Sequence, residues 1–276
     1  MLKVLVQARD SDLEVDPNKN EWLATPNPIR YVRAGAGSTG SDGLTPDSAF
    51  PSLAQAVAMS IPLNGVNLFV SGGLYPENIF LFTGMMVFGG FNDQFELDQR
   101  DPDTHVTQFG IVFPNDLVSL RPGSLLNGID GISLSGNNIA ESCVFAEDCI
   151  ARITRCRLSG ATTQGIDLRS DSAEGEEIRA LIADCVISGC SGEGIRIHGI
   201  PQIRIDNCEI RDNLNEGIES QWIQATTLKD ARVEITRCNI HGNGDEGIDL
   251  DVAGIHDSDQ VSSIAARVRI RIRNCT

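Results

Sequence analysis

The sequence predicts a parallel β-solenoid, in which the chain winds into coils and short strands stack from one coil to the next. Five cysteines, each three residues after an isoleucine, carry this prediction: Cys156, Cys185, Cys208, Cys238 and Cys275. The first four also have a leucine or isoleucine two residues later and a Gly-Ile pair nine residues later. The intervals between the cysteines are 29, 23, 30 and 37 residues, and all the extra length falls between the Gly-Ile pair and the next isoleucine. A fixed internal spacing within unequal repeats is typical of stacked coils whose loops leave at one corner.

The apolar runs within each repeat are too short for helices. Each spans about five residues before Gly, Asn or Ser, whereas a helical repeat needs three-and-four spacing over ten or more positions. Because side chains alternate along a strand, Ile-x-x-Cys-x-Ile with a turn before the cysteine lines one interior. We therefore expect a buried column of thiols without disulfides, since free cysteine behaves as a small hydrophobe and parallel Cβ vectors disfavour bonding. A weaker repeat at Ile129, Ile132 and Leu134 extends the column towards the N-terminus. Three other cysteines lie off the column and are not assigned a role: Cys143, Cys149 and Cys190.

A Pro-Asn-Pro segment divides the chain into two parts. Residues 1–28 are polar, and we interpret them as a linker or the edge of a preceding domain. Residues 29–276 are interpreted as one solenoid domain. The sequence stops at Thr276, in the middle of a repeat, and solenoids need a polar cap. We therefore expect the domain to be truncated at its C-terminus, with any secretion signal and further coils outside this sequence.

A short capping helix is expected near the start of the solenoid. Residues 51–59 read Pro-Ser-Leu-Ala-Gln-Ala-Val-Ala-Met, where Ser52 can cap a helix whose apolar side chains share one face. Such a helix would cover the open end of the first coil. Short strands with glycine turns are predicted after it, at residues 67–73, 75–81 and 86–91.

Composition limits the classes of partner. The chain carries 22 basic and 38 acidic residues, a net charge of −16 that disfavours nucleic acid and also repels polyuronates unless a cation bridges. Apolar residues make up 41% of the chain but aromatic residues only 5%, which suits a narrow core of aliphatic side chains. No segment approaches the roughly 20 apolar residues that a membrane span needs. We expect neither a nucleic-acid partner nor a membrane span.

The N-terminal segments, together with the repeats, resemble a known family. The segments that carry the resemblance are Tyr31-Val, Gly40-Ser-Asp-Gly, Pro51-Ser-Leu-Ala-Gln-Ala, Gly73-Leu-Tyr-Pro-Glu-Asn-Ile and Val87-Phe-Gly-Gly-Phe. They are similar to the secreted bacterial right-handed parallel β-helix repeat proteins of the pectate-lyase-like superfamily. The resemblance implies an all-β, right-handed parallel β-helix, an extracellular or cell-envelope location and a carbohydrate ligand. Members include polysaccharide lyases, polygalacturonases, epimerases and surface proteins of no known activity, so fold does not choose the function.

Two columns of polar residues are expected to point outward beside the Gly-Ile strands. One column is Asp167, Arg196, Glu219 and Asp249. The residues directly before each glycine form the other: Gln164, Glu193, Glu216 and Glu246. One interpretation is a groove floor where neighbouring carboxylates raise one pKa and supply an acid and a base. The alternative is a solvated charge ladder in which Arg196 bridges Asp167 and Glu219.

An enzymatic interpretation assigns roles to particular residues on this face. The catalytic candidates are Glu216, Glu219, Glu246, Asp249 and Lys229, and the substrate-binding candidates are Trp222 and Arg196. Trp222 and Lys229 lie in an inserted loop expected to form a wall beside the strands, where solenoids bind their ligands. Polygalacturonases of the superfamily would show Asn-Thr-Asp, Asp-Asp, Gly-His-Gly and Arg-Ile-Lys motifs, and this chain has none of them. Glu193 stands where the histidine of the third motif would be.

Calcium is the one cofactor that the sequence suggests. Acidic residues are concentrated in one repeat and its loop, and we name Asp245, Asp249 and Asp251 as candidate ligands. Calcium takes six to eight oxygen ligands, although no complete calcium-loop motif is present. Solvated surface acid is the alternative.

A run of alternating arginines marks a second polar face. Arg267, Arg269, Arg271 and Arg273 alternate with apolar residues, so they should point outward from a strand. We expect Arg152 and Arg204 on the equivalent column, with Glu234 interrupting the stripe.

The leading functional hypothesis is an extracellular or cell-envelope protein that binds or displays carbohydrate, including cell-surface glycan, without established catalysis. The alternative is a polysaccharide-degrading lyase or glycoside hydrolase that acts on the outward Gly-Ile face. An architectural spacer needs no site at all.

Overall fold

The computed structural model describes residues 27–35, 40–82, 84–110, 113–170, 178–199, 201–223, 231–252 and 268–276. These residues form three sheets in which every pair of neighbouring strands is parallel. Sheet 1 contains β1 (Ile29–Val32), β2 (Val66–Ser71), β5 (Met85–Phe91), β8 (Gly123–Asp130), β11 (Cys149–Thr154), β14 (Ile178–Ala183), β17 (Pro201–Asp206), β20 (Ala231–Thr236) and β23 (Val268–Arg273).

The other two sheets are made of shorter strands. Sheet 2 contains β3 (Gly73–Pro76), β6 (Thr107–Gly110), β9 (Ser133–Ser135), β12 (Arg157–Ser159), β15 (Val186–Ser188), β18 (Glu209–Arg211) and β21 (Asn239–His241). Sheet 3 contains β4 (Ile79–Leu81), β7 (Val118–Leu120), β10 (Val144–Glu147), β13 (Ile166–Arg169), β16 (Ile195–Gly199), β19 (Ile218–Ile223) and β22 (Ile248–Val252). From β2 to β23 the chain visits sheets 1, 2 and 3 in strict rotation, so the predicted all-β solenoid is confirmed.

The cysteine repeat sets the core as predicted. Cys156, Cys185, Cys208 and Cys238 are each at most 2% exposed, and Ile132 occupies the same position one coil earlier at 1%. Each thiol lies close to the carbonyl oxygen two residues before it, at 3.2 Å from Cys185 Sγ to Ala183 O, for example. All eight cysteines are free thiols in the structure. The column therefore packs as a line of small apolar side chains.

A left-handed residue makes the corner between sheets 1 and 2. The position directly before the column cysteine has a φ between 52° and 56° in each of the five repeats, at Arg155, Asp184, Asn207, Arg237 and Asn274. Left-handed backbone costs a residue with a side chain roughly 1–2 kcal/mol, and Asn and Asp tolerate it best. One residue thus turns the chain sharply enough for the next side chain to point inward.

The capping helix α1 spans Leu53–Ser60, close to its predicted range. Ser52 caps it by accepting a hydrogen bond from the backbone N–H of Gln55 at 3.2 Å. Its buried residues Leu53, Ala56 and Val57 join the same apolar core as the sheets. Three short 3₁₀ turns accompany it, at Pro46–Ser48, Ile61–Leu63 and Leu97–Gln99.

A buried ion cluster fastens the segment after β5 to the coils. The Asp130 carboxylate, 1% exposed, accepts hydrogen bonds from Arg100 Nη2 at 2.5 Å, from Arg155 Nη2 at 2.6 Å and from the Thr154 hydroxyl. The Arg100 side chain is only 5% exposed and also lies over the Phe91 ring, 5.3 Å from its centroid. The Asp206 carboxylate forms a similar cluster, in which it accepts hydrogen bonds from the Thr236 hydroxyl and from Arg237 Nη2.

No helix in the described part of the chain is long and apolar enough to cross a membrane.

Candidate functional site

The outward side of sheet 3 carries the two polar columns that the sequence predicts. Strand pairing aligns Asp167 with Arg196, Arg196 with Glu219 and Glu219 with Asp249. Backbone hydrogen bonds between the turns that precede these strands align the members of the second column, each one coil from the next. They also add Asp116 and Ser142 at its N-terminal end, so the column contains Asp116, Ser142, Gln164, Glu193, Glu216 and Glu246. We call these two columns, over β13, β16, β19 and β22 and the turns before them, the sheet 3 face.

Asp167 is held by two arginines. Its carboxylate is 1% exposed and lies 2.6 Å from Arg196 Nη2 and 2.8 Å from Arg169 Nη2. Hydrogen bonds to Asp167 raise the pKa of the Arg196 guanidinium, although burial opposes this. The Arg169 guanidinium also lies over the Phe145 ring of the previous coil, 5.4 Å from its centroid. Of the bridge by Arg196 between Asp167 and Glu219 that the sequence suggests, the structure shows the ion pair with Asp167.

Glu193 is fixed in a similar way by neutral groups. Gln164 Nε2 donates to one carboxylate oxygen at 2.7 Å, and Asn215 Nδ2 donates to the other at 3.1 Å. These two partners come from the previous and the following coil, so the carboxylate is clamped along the axis. Glu193 is 8% exposed. Its orientation is therefore set before any ligand arrives.

Carboxylates crowd together over the last coils of the sheet 3 face. Glu193, Glu216 and Glu219 each place an oxygen within 4.8 Å of the others, and Glu216 does the same with Asp245 and Glu246. Loss of solvation raises the pKa of Glu216, and the neighbouring Glu219 and Glu193 carboxylates act in the same direction. A hydrogen bond with Asp245 raises the pKa of Glu246. A cation would relieve this repulsion.

The other candidate residues lie in different settings. Asp249 and Asp251 are exposed on β22 and are outside both carboxylate groups, whereas the third calcium candidate, Asp245, lies within one. The backbone of Trp222 belongs to β19, but its side chain lies outside the described residues, and so does Lys229. The wall of inserted loops falls on residues outside the described part as well.

Aromatic side chains continue the sheet 3 face towards the N-terminus. The outward column runs from Asp167 back through Phe145 and Ser119 to Phe80. Phe80 is 41% exposed, and the Arg121 guanidinium lies 4.6 Å from its ring centroid. The alternation of side chains along β4, β7 and β10 could have located these positions in the sequence. They were missed there because those strands lack the spacing from a cysteine that marks the later repeats.

Asp116 is a titratable residue of this face that the sequence analysis missed. Burial raises its pKa from 3.8 to about 6, nearby Glu141 acts in the same direction, and the Ser142 N–H donates to Oδ1 at 3.2 Å. The folded chain holds this proton up to about pH 6, whereas the unfolded chain releases it near 3.8. Stability should therefore fall as pH rises between those two values.

Asp116→Asn is expected to raise the melting temperature at about pH 7.5 and to change it much less at about pH 3.5, because the wild-type group is neutral in both states only at the lower pH. Thermal unfolding at the two pH values checks this. A carboxyl titration followed by NMR is the control for the wild-type midpoint. An equal shift of the melting temperature at both pH values would contradict the expectation.

Solved structures similar to this chain include a pectate lyase and a pectin methylesterase. Pectate lyase Pel9A shares 11% identity with a TM-score of 0.54, covering 90% of this chain and 62% of that chain. The pectin methylesterase from Aspergillus niger shares 14% identity with a TM-score of 0.49, covering 91% and 77%. This chain thus spans 62% of the pectate lyase's length. At such identities the likeness shows the fold alone, and no curated protein sequence matches the chain.

Family membership follows from the sequence of the regular coils. Residues 130–276 match the profile of the family described as the right handed beta helix region. The match covers more than half of the chain and begins at Asp130, in the weaker repeat that precedes the first cysteine-marked one. Sheets of parallel strands stacked in successive coils agree with it. The chain belongs to the right-handed beta helix family.

Proposed function

We propose that the protein binds a carbohydrate chain along the sheet 3 face, as an extracellular or cell-envelope protein. The observation that carries the proposal is the pair of clamped carboxylates, Asp167 between two arginines and Glu193 between two amides. Polar groups that are already oriented lose little conformational entropy when a ligand binds. The Arg196 and Arg169 side chains that hold Asp167 remain 21% and 35% exposed, so sugar hydroxyls can accept hydrogen bonds from their guanidinium groups.

The shape of the face suits a linear polymer. Equivalent side chains recur about every 4.8 Å along the axis, so successive sugar units would meet similar groups. Phe145 adds an apolar surface next to Asp167, since it occupies the same column one coil earlier. A few polar groups beside an apolar surface are typical of carbohydrate and small-ligand sites.

Calcium fits the last coils of this face. Glu216, Asp245 and Glu246 bring three carboxylates together, and calcium prefers such oxygens. Asp245, a ligand candidate from the sequence, belongs to this group, whereas the other two candidates, Asp249 and Asp251, lie outside it. Bound calcium would supply positive charge with which an acidic sugar could interact. When no calcium is bound, the proposed ligand is a neutral glycan.

Binding should be lost when the Asp167 clamp is broken. Arg196→Ala is expected to weaken binding of at least one polysaccharide by about tenfold or more, because it removes a charge-assisted contact and frees Asp167 to move. The measurement is affinity electrophoresis against neutral and acidic polysaccharides, with calcium and with chelator. Arg204→Ala is the matched control, since Arg204 pairs with Asp206 at 3.1 Å on the outward side of sheet 1. Equal loss in both variants, or no retention of the wild type by any polysaccharide, would refute the proposal.

The enzymatic alternative has one observation in its favour. Glu216 has a raised pKa and lies in the same carboxylate group as Glu219, which is the arrangement of a proton donor next to a second carboxylate. The same incubations are therefore followed for new reducing ends and unsaturated-uronate absorbance. Turnover that Glu219→Gln abolishes without changing the melting temperature would make the protein an enzyme.

A further inference from the structure

Charges of opposite sign are segregated onto two sides of the last two coils. On sheet 1, five arginines lie on or directly after β20 and β23, and we call them the arginine patch: Arg232, Arg237, Arg269, Arg271 and Arg273. On sheet 3, six acidic residues lie on or directly before β19 and β22, and we call them the acidic patch: Glu216, Glu219, Asp245, Glu246, Asp249 and Asp251.

Both patches are accessible to a partner. The side chains of Arg232, Arg237 and Arg271 are 44%, 57% and 52% exposed. The carboxylates that accompany them, Asp206 and Glu234, are only 7% and 17% exposed, so positive charge dominates the surface. A cleft of about 430 Å³ lies among Arg232, Arg269 and Arg271. In the acidic patch, Asp245, Glu246, Asp249 and Asp251 are all exposed.

The two patches lie at the same height along the solenoid. Strand β19 leads into β20, and β22 leads into β23, so each acidic strand and the arginine strand that follows it are consecutive parts of the winding. Both patches also share the axial repeat of about 4.8 Å between stacked strands. A copy placed beside another, with parallel axes and no axial shift, would therefore align arginine columns with carboxylate columns.

We propose that the arginine patch of one molecule binds the acidic patch of a second copy of this chain, side by side. Guanidinium groups pair with carboxylates through two parallel hydrogen bonds, which favours arginine on such a surface. Glu216, Asp245 and Glu246 place carboxylate oxygens within 4.8 Å of one another, and incoming guanidinium groups would relieve the repulsion between them. Another polyanion could meet the arginine patch, but a second copy matches it in charge, repeat and height together.

The association is expected to depend on salt and to extend beyond a dimer. A pair joined through one contact leaves one patch unused on each molecule, so further copies can add there, in a ring or in an open chain. Exposed ion pairs are individually weak and are screened within about 8 Å at physiological ionic strength. The acidic patch overlaps the sheet 3 face, so association and ligand binding would compete there. The inference does not rest on the proposed carbohydrate function.

Sedimentation velocity in chelator tests the proposal. At about 20 mM salt the weight-average mass should rise above the 29.8 kDa of the monomer, at least twofold at high protein concentration, and at about 300 mM salt it should return to the monomer. Reversing the charge of the arginine patch (Arg269→Glu, Arg271→Glu, Arg273→Glu) should abolish association. Reversing the acidic patch (Glu246→Arg, Asp249→Arg, Asp251→Arg) should also abolish it. An equimolar mixture of the two variants should associate again, because their reversed patches are complementary.

Arg157→Glu serves as the matched control on sheet 2, where Arg157 pairs with Asp103 and is 62% exposed, and this variant should associate like the wild type. Several outcomes would overturn the proposal: a wild type that stays monomeric at low salt, association that needs calcium, or reversed variants that fail to associate when mixed. A monomeric wild type that binds heparin or DNA through the arginine patch would assign that patch to a polyanion instead.

Discussion

Replacing Asp130 with asparagine is expected to lower the free energy of unfolding by about 3–5 kcal/mol, because it leaves a buried arginine without its counter-charge. The carboxylate lies between Arg100 and Arg155, and the Arg100 side chain is only 5% exposed. Asparagine keeps the shape of the side chain but supplies one neutral oxygen and adds a donor that faces the guanidinium groups. Chemical denaturation followed by circular dichroism measures the change.

Asp103→Asn provides the comparison, since Asp103 and Arg157 form an ion pair of 2.8 Å with side chains that are 74% and 62% exposed. Exposed pairs contribute about 0–1 kcal/mol. Burial opposes the ionised form, but Arg100 and Arg155 together lower the pKa of Asp130. The stabilisation that the ionised Asp130 contributes is therefore present above the ordinary carboxyl pKa, and it is lost as pH falls through the lowered pKa of the folded state. A loss in Asp130→Asn no larger than in Asp103→Asn would show that the cluster does not stabilise the fold.

Gly128→Ala is expected to destabilise the coil by more than about 3 kcal/mol, because a methyl group has no room between two stacked strands. A Cβ atom at Gly128 would lie 2.0 Å from the backbone oxygen of Arg152 on β11. Backbone cannot rotate away as a side chain can, so β8 and β11 would have to separate. The melting temperature and the denaturation midpoint report the loss.

Gly110→Ala is the matched control within the same domain. Gly110 is also buried and ends β6, but the nearest atoms to its Cβ would be 3.7 and 3.9 Å away. At such a site the substitution reduces the freedom of the unfolded chain and changes stability by about 1 kcal/mol or less. Equal stability of the two variants would mean that β8 is free to shift, against the close packing described here.

The fold was predictable because its strongest signals are local. The spacing from Ile153 to Cys156 and on to Gly165 fixes which side chains point inward, and the same spacing one repeat later fixes what stacks on them. The column from Asp167 to Asp249 followed from alternation alone, and strand pairing confirms each step. Loop length did not matter, because the inserted residues leave the coil at one corner.

The rest of the site depends on contacts between residues that no regular spacing in the sequence connects. Strand β7 has neither the cysteine nor the Gly-Ile pair, so Asp116 could not be aligned with Glu193 from the sequence. The clamp on Glu193 joins side chains that are 22 and 29 residues away. The Asp130 cluster takes Arg100 from a segment between strands, which only the folded chain brings near.

The stacking order of the coils has a consequence for how the protein is made. From β9 onward, each strand pairs with neighbours 22 to 37 residues away in the chain, and pairing beyond the next coil is not needed. Closing such loops costs little entropy, so a coil can join the growing stack as soon as its residues have left the ribosome. Synthesis and folding can thus advance together, and the last coil completed is always the template for the next.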